Sequence, residues 1–152
     1  MRFLLIDRFL KLTKEESVVA LKSMSNDFIK EHFPRKPVIP ATMAIEAIGQ
    51  IGSWLVLYAS KFRYGIVLAL LRDSGVKRDI VPGDRIECHA EIISLGEAVS
   101  EVDIKGYIND ELAVWTDVVF SHLLPYNRAE QIREIKRFNY LTGLNLDPGE
   151  II

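Results

Sequence analysis

The segment that most restricts the fold is ATMAIEAIGQIGSWLVLYAS, residues 41–60. Its spacing predicts one helix, and twenty helical residues span about 30 Å. Pro40 precedes it, where a missing N–H costs nothing, and Thr42 is placed to act as a cap. Met43, Ala44, Ala47, Ile48, Ile51, Trp54, Leu55 and Tyr58 cover most of its surface. A helix apolar nearly all round is a buried helix. Gly49 and Gly52 each lower helix propensity by roughly 1 kcal/mol relative to Ala, so packing must hold it. Small residues admit a second backbone at close range, as a sheet wrapping the helix requires. Glu46, Gln50 and Ser53 follow i, i+4, i+7 spacing and share one face. The expectation is therefore a narrow polar stripe, carrying one acid, inside the protein.

Strands surround that helix. Residues 3–12, FLLIDRFLKL, and 17–24, SVVALKSM, read as two strands joined by Thr13-Lys14-Glu15-Glu16. The segment from Phe28 to Pro40 holds three prolines in its last seven residues, which forbids a helix. After the helix, residues 65–71 read as a buried strand and Pro82-Gly83-Asp84 as a tight turn. Ile86, Cys88, Ala90 and Ile92 alternate with Glu87, His89 and Glu91, a period of two. Residues 98–108 alternate likewise, Asn109-Asp110 reads as a hairpin turn, and residues 112–123 return as a strand. Asn127 and Glu130 then form a capping-box pattern. Ile132, Ile135, Phe138 and Leu141 recur at helical spacing, and Gly143 offers a C-cap. Two strands, a long helix, four strands and a terminal helix make an α+β chain.

Length and charge narrow the function. The 152 residues suit one domain large enough to fold without a disulfide or a metal. Nineteen Lys and Arg against 21 Asp and Glu give a net charge of −2, which argues against a nucleic-acid partner. The lone cysteine, Cys88, permits no internal disulfide and no multi-cysteine zinc site, so a reducing, cytoplasmic setting is expected. Asp7 and Arg8 cut the apolar start short of a signal-peptide core, and no run is long enough to cross a membrane.

One group of residues carries a family resemblance. His32-Phe33-Pro34, Pro37-Val38-Ile39-Pro40, then Glu46-Ala47 and Gln50 resemble the HFPxxPVMPG…EAxAQ core of the 3-hydroxyacyl-acyl-carrier-protein dehydratases of the FabZ type. The opening FLLIDR and the segment from Lys77 to Asp84 resemble further family segments in the same order, so the resemblance covers about residues 3–123. It implies the hotdog fold, a long central helix wrapped by a curved antiparallel sheet. Residues 1–124 would form that unit, with 125–152 a helical extension packed on it. It also implies a homodimer with shared active sites, assembled in some members as a trimer of dimers, acting on acyl carrier protein that bears a 3-hydroxyacyl chain. The implied base is His32 and the implied acid Glu46, with N–H donors at Ala41 and Thr42. Gln50, Phe33 and Pro40 support them, and no cofactor or metal is called for.

The chemistry fits those parts. Dehydration removes a proton from C2 and expels hydroxide from C3, so it needs a base, an acid and a donor for the thioester oxygen. Burial among Ile45, Ile48 and Ile51 would favour the protonated, donating form of Glu46. The N-terminus of the helix has spare backbone N–H groups for the oxygen. Two positions depart from the family pattern: Glu31 and Ala41 stand where it has glycine. Alanine keeps its N–H but adds a Cβ, and Glu31 sets a carboxylate next to His32. These departures keep open a hotdog protein without dehydratase activity, an acyl-binding protein or the partner subunit of an active dehydratase; a hotdog thioesterase is a third reading, since Glu46 can also serve as a general base for water. Ser53 reads as structural, and Trp54, Tyr58 and Trp115 as core or tunnel lining. His89 and His122 read as surface or hydrogen-bonded residues, and Arg35, Lys36, Lys77 and Arg78 as a solvated basic surface or one that an acidic carrier could meet.

Overall fold

The computed structural model describes residues 4–13, 16–25 and 37–151. Six strands build one antiparallel sheet: β1 Arg8–Thr13, β2 Ser17–Ser23, β3 Tyr64–Val76, β4 Arg85–Leu95, β5 Val99–Ile108 and β6 Glu111–Pro125. Their order across the sheet is β1-β2-β4-β5-β6-β3. The helix α1, Ala41–Ala59, lies against it, and α2, Arg128–Thr142, and the short α3, Pro148–Ile151, follow the last strand.

The sheet curves because its ladders are interrupted. Register shifts occur once in the β4–β5 pair and three times in the β3–β6 pair. An extra residue on one strand bends it and raises its twist. Ile86, Cys88, Ala90, Val102, Ile104, Val114, Val118 and Phe120 project from the concave face and are buried against Ala44, Ile48, Ile51 and Leu55 of α1. The period of two in β4 and β5 therefore sorts an inner apolar face from an outer polar one. Gly52 is the point of closest approach. A Cβ there would lie 2.6 Å from Ile104 Cδ1 and 3.4 Å from both Phe120 and Val102. Gly49 is different, since a Cβ there would meet nothing within 4 Å among the described residues.

Several expectations need correction. The first strand begins at Arg8: residues 4–7, expected as strand, are not, and residue 3 lies outside the described residues. Leu5 and Ile6 are buried, but the Leu5 N–H donates to the Gln50 side chain rather than to a ladder. Thr42 does not cap α1: the N-cap residue is Pro40, with no side-chain cap bond. The strand expected at 65–71 continues to Val76, because pairing with β6 carries the polar residues Arg72, Asp73 and Ser74, which have no apolar pattern of their own. Trp115 does not belong to the buried core. It lies half-buried across Gly75 and donates its indole N–H to Asp73.

Helix α2 forms as its sequence indicates. Asn127 accepts from the Glu130 N–H at 3.0 Å, Glu130 accepts from the Asn127 N–H at 2.9 Å, and Gly143 closes the helix at φ 71°. Phe138 anchors it. Its ring stacks on Tyr58 at 5.1 Å and meets Phe9, Trp54 and Phe62 at 5.4–6.2 Å. The terminal helix thus covers the second half of α1.

Candidate active site

The polar stripe of α1 is real, but it is not buried in the chain. Glu46 is exposed and Gln50 and Ser53 are half-buried, whereas Ala47, Ile48 and Ile51 face the sheet. The expected enclosure of Glu46 is therefore wrong for a single chain. The sheet covers only one side of the helix, and the stripe lies on the other. Gln50 holds the acid in place. Its Nε2 donates to Glu46 Oε1 at 2.9 Å, and its Oε1 accepts the Leu5 N–H at 2.9 Å. Leu5 is buried, so this bond fixes the amide against the core and leaves its N–H group aimed at the acid. Ser53 Oγ donates to the Gln50 carbonyl at 2.8 Å, the structural role expected of it.

One turn before Glu46 the helix begins. The N–H groups of Met43 and Ala44 turn inward to the Pro40 carbonyl. Those of Ala41 and Thr42, both exposed residues, have no acceptor among the described residues. They are the orphan donors of a helix N-terminus, a ready site for developing negative charge. Ile39 N–H bonds to the Ile80 carbonyl at 2.7 Å, which pins Pro40 and the helix start to the segment before β4. A cleft of about 400 Å³ opens there, lined by Val38, Pro40, Ala41, Val76, Lys77 and Arg78 among others. Arg78 reaches Asp84 at 3.5 Å. The structure thus places Ala41, Thr42, Glu46 and Gln50 along the first ten residues of one helix. Thr42, Glu46 and Gln50 recur at i, i+4, i+8 on one face. Glu31, His32, Phe33, Arg35 and Lys36 lie outside the described residues.

The other histidines are held in place as expected. His89 bonds to Glu87 at 2.8 Å on the outer face. His122 Nδ1 donates to the Glu97 carbonyl at 3.0 Å, which leaves Nε2 to accept from Ser100 Oγ at 2.7 Å. The pair has the parts of an activated serine, a reading that sequence spacing did not suggest. Ser100 is fully buried, however, so no substrate reaches it, and the bond ties β5 to β6.

Sequence reasoning also missed a second cavity. It lies between α1 and α2, measures about 1040 Å³, and begins at Gln50 and Ser53. On its α2 side Glu134, 6% exposed, receives Arg137 at 2.9 Å and Arg133 at 3.1 Å. A buried acid flanked by arginines at i−1 and i+3 was the available signal, since isolated buried carboxylates are rare.

Known proteins match this chain in sequence and in shape. The FabA-like domain family matches residues 1–117. The 3-hydroxyacyl-[acyl-carrier-protein] dehydratase FabZ of Desulforamulus reducens is 30% identical over 122 residues, covering 78% of this chain and 86% of the relative. The enzyme of the same name from Pelotomaculum thermopropionicum is 31% identical over 122 residues, covering 78% and 87%. Among solved structures, a Streptococcus mutans protein bound to acetyl CoA superposes with a TM-score of 0.68 at 8% identity, covering 84% of this chain and 96% of that one. A mutant thioesterase from Pseudomonas aeruginosa superposes at 0.64 with 17% identity, covering 78% and 81%. At such identities the structural matches speak for the fold alone. With its six-stranded antiparallel sheet curved round one long helix, the chain has the hotdog fold and belongs to the FabA-like domain family.

Proposed function

We infer that the protein dehydrates 3-hydroxyacyl thioesters carried on acyl carrier protein to trans-2-enoyl thioesters, in fatty-acid or related acyl-chain synthesis. The observation that carries this reading is the Glu46–Gln50 pair one turn from the Ala41 and Thr42 N–H groups, which have no acceptor among the described residues. In this reading the thioester oxygen lies at those N–H groups, which stabilise the charge that develops as the C2 proton leaves. His32 takes that proton. Glu46 donates a proton to the C3 hydroxyl, the C3–O bond breaks, and water departs. Transfer of the C2 proton from His32 back to Glu46, directly or through water, restores both groups. Gln50 holds the Glu46 carboxyl in place, Pro40 precedes the first helical N–H groups, and Phe33 supports the site as the family motif implies.

A homodimer suits the exposed acid. Strand β3 is an edge of the sheet, thirteen residues long, with Val67, Leu68, Leu70 and Leu71 exposed. A long apolar edge is a template for pairing with another chain. A second copy paired there would extend the sheet, and in this reading the His32 of one protomer serves the Glu46 of the other. Lys77 and Arg78 border the cleft at the helix start, where an acidic carrier would present its thioester. Residues 1–124 form the catalytic unit and 125–152 the extension, and the protein works in the cytoplasm.

The test is direct. Purified protein with a 3-hydroxyacyl thioester should develop enoyl absorbance, and His32→Ala or Glu46→Gln should lower kcat by about 10²–10⁴-fold, the usual worth of a positioned acid or base. Release of free thiol without enoyl product would assign the site to thioester hydrolysis instead. Undiminished dehydration by His32→Ala would remove it as the base.

A further inference from the structure

The turn at residues 81–84 takes no part in the chemistry above, yet its bonds reach the chain on both sides of His32. The Met24 N–H donates to the Asp84 carbonyl at 2.9 Å, and the Gly83 N–H donates to the Met24 carbonyl at 2.8 Å. Just before the turn, the Ile80 carbonyl accepts the Ile39 N–H at 2.7 Å. Met24, Ile39 and Ile80 are buried, so a backbone group that loses its partner there is costly. His32 lies between Met24 and Ile39 in the chain. Ile39 leads through Pro40 to Ala41 and Thr42, the donors assigned to the thioester oxygen.

One side chain sets the turn. Asp84 donates its N–H to the Val81 carbonyl at 3.0 Å, and its Oδ2 accepts the Val81 N–H at 2.9 Å. The Val81 N–H and the Ile80 carbonyl belong to one planar peptide unit, so Asp84 holds one end of it and Ile39 the other. Without the carboxylate, that unit is free to rotate and turn its carbonyl away from Ile39. Arg78 reaches the same Oδ2 at 3.5 Å from the wall of the cleft at the helix start. Gly83, at φ 100°, gives the turn a backbone conformation that residues with a Cβ rarely adopt.

We propose that Asp84 is a positioning residue for the reaction: through the peptide between Ile80 and Val81 it fixes where the helix start presents the Ala41 and Thr42 N–H groups. The proposal rests on the dehydratase reading of those donors. Donors to a developing oxyanion act over hydrogen-bond distances, and a misplacement of about 1 Å costs on the order of 10²-fold in rate. Asp84 acts through Ile39 and touches no reacting group in this reading.

Asp84→Ala and Asp84→Asn separate this role from a merely structural one. Asparagine keeps an acceptor for the Val81 N–H, and alanine does not. With a 3-hydroxyacyl thioester, Asp84→Ala should lower kcat and kcat/KM together by about tenfold to a hundredfold, because the contact matters to charge that develops only in the transition state. Asp84→Asn should keep most of the rate. Amide hydrogen exchange should show the Met24, Ile39 and Gly83 N–H groups less protected in Asp84→Ala, relative to those of β5, by about tenfold or more. Asn127→Ala, which removes the cap of α2, controls for lost stability and should leave kcat unchanged. In folded protein, an unchanged kcat, an unchanged exchange pattern, or an equal loss of kcat in Asp84→Asn or Asn127→Ala overturns the proposal. If Asp84→Ala does not fold, Gly83→Ala strains the same turn and is read by the same two measurements. Should the wild type give no enoyl product, the dehydratase reading fails, and exchange alone decides whether Asp84 holds the helix start.

Discussion

Gly49 and Gly52 are three residues apart on one helix, and the same substitution should have opposite effects at the two. Gly→Ala in a helix interior gains about 1 kcal/mol from backbone entropy alone. At Gly49 none of the described residues lies within 4 Å of the new methyl, so Gly49→Ala should keep most of that gain. At Gly52 the methyl would lie 2.6 Å from Ile104 Cδ1, with Phe120 and Val102 at 3.4 Å. Ile104 is fully buried and its neighbours are core residues, so its δ-methyl moves only at the expense of other contacts. Overpacking of this kind costs about 1–3 kcal/mol, which cancels or exceeds the propensity gain. The two variants should therefore differ by ~2 kcal/mol, or about 4–8 °C in Tm for a chain of this size. Urea and thermal denaturation should be followed at one fixed protein concentration, because assembly would otherwise shift Tm. A Gly52→Ala variant as stable as Gly49→Ala would refute the claim that the sheet closes on α1 at that point.

Three further outcomes follow from named contacts. Gln50→Leu should cost about 1–3 kcal/mol by stranding the buried Leu5 N–H, and should lower kcat by freeing Glu46; denaturation and turnover measured on one sample check both. Burial pushes the Asp7 carboxyl up, but the bonds from Lys22 at 2.8 Å and from the Ser23 N–H outweigh it and hold the group below the usual carboxylate range. A lowered folded-state value means that this stabilisation is complete above the ordinary Asp range near pH ~4 and fades as pH falls through the folded-state value, so Asp7→Asn should cost about 1 kcal/mol at pH 7 and progressively less in acid, measured by urea denaturation across pH. Asn127→Ala removes the capping box of α2 and should cost about 1 kcal/mol, read as a lower Tm and as faster amide exchange in residues 128–131.

Much of the molecule is legible in the chain. The period of two in β4 and β5 marks an inner and an outer face without reference to any neighbour, because pleating sends alternate side chains to opposite sides. Asn109 and Asp110 adopt φ 51° and 64°, the left-handed pair that a tight hairpin demands and that their short polar side chains tolerate. The capping box at Asn127 is equally local. The motifs that bear the resemblance are local too, so the family is legible in the chain itself.

What the sequence by itself determined is therefore what rests on local periodicity and on residues near one another in the chain. It set the helix, the strand faces, the caps, and the grouping of Glu46, Gln50 and Ser53 on one stripe. Tertiary structure decided which way that stripe looks. Apolar residues on all sides of α1 imply burial all round, but the sheet has two edges and wraps only one side, so Glu46 stays open on the single chain. It likewise decided that polar Arg72–Ser74 would be strand, because hydrogen bonds from β6 need no apolar pattern. The α1–α2 groove exists because Phe138, eighty residues after Tyr58, stacks on it. No local signal reports a contact between residues so far apart, since only chain closure brings them together.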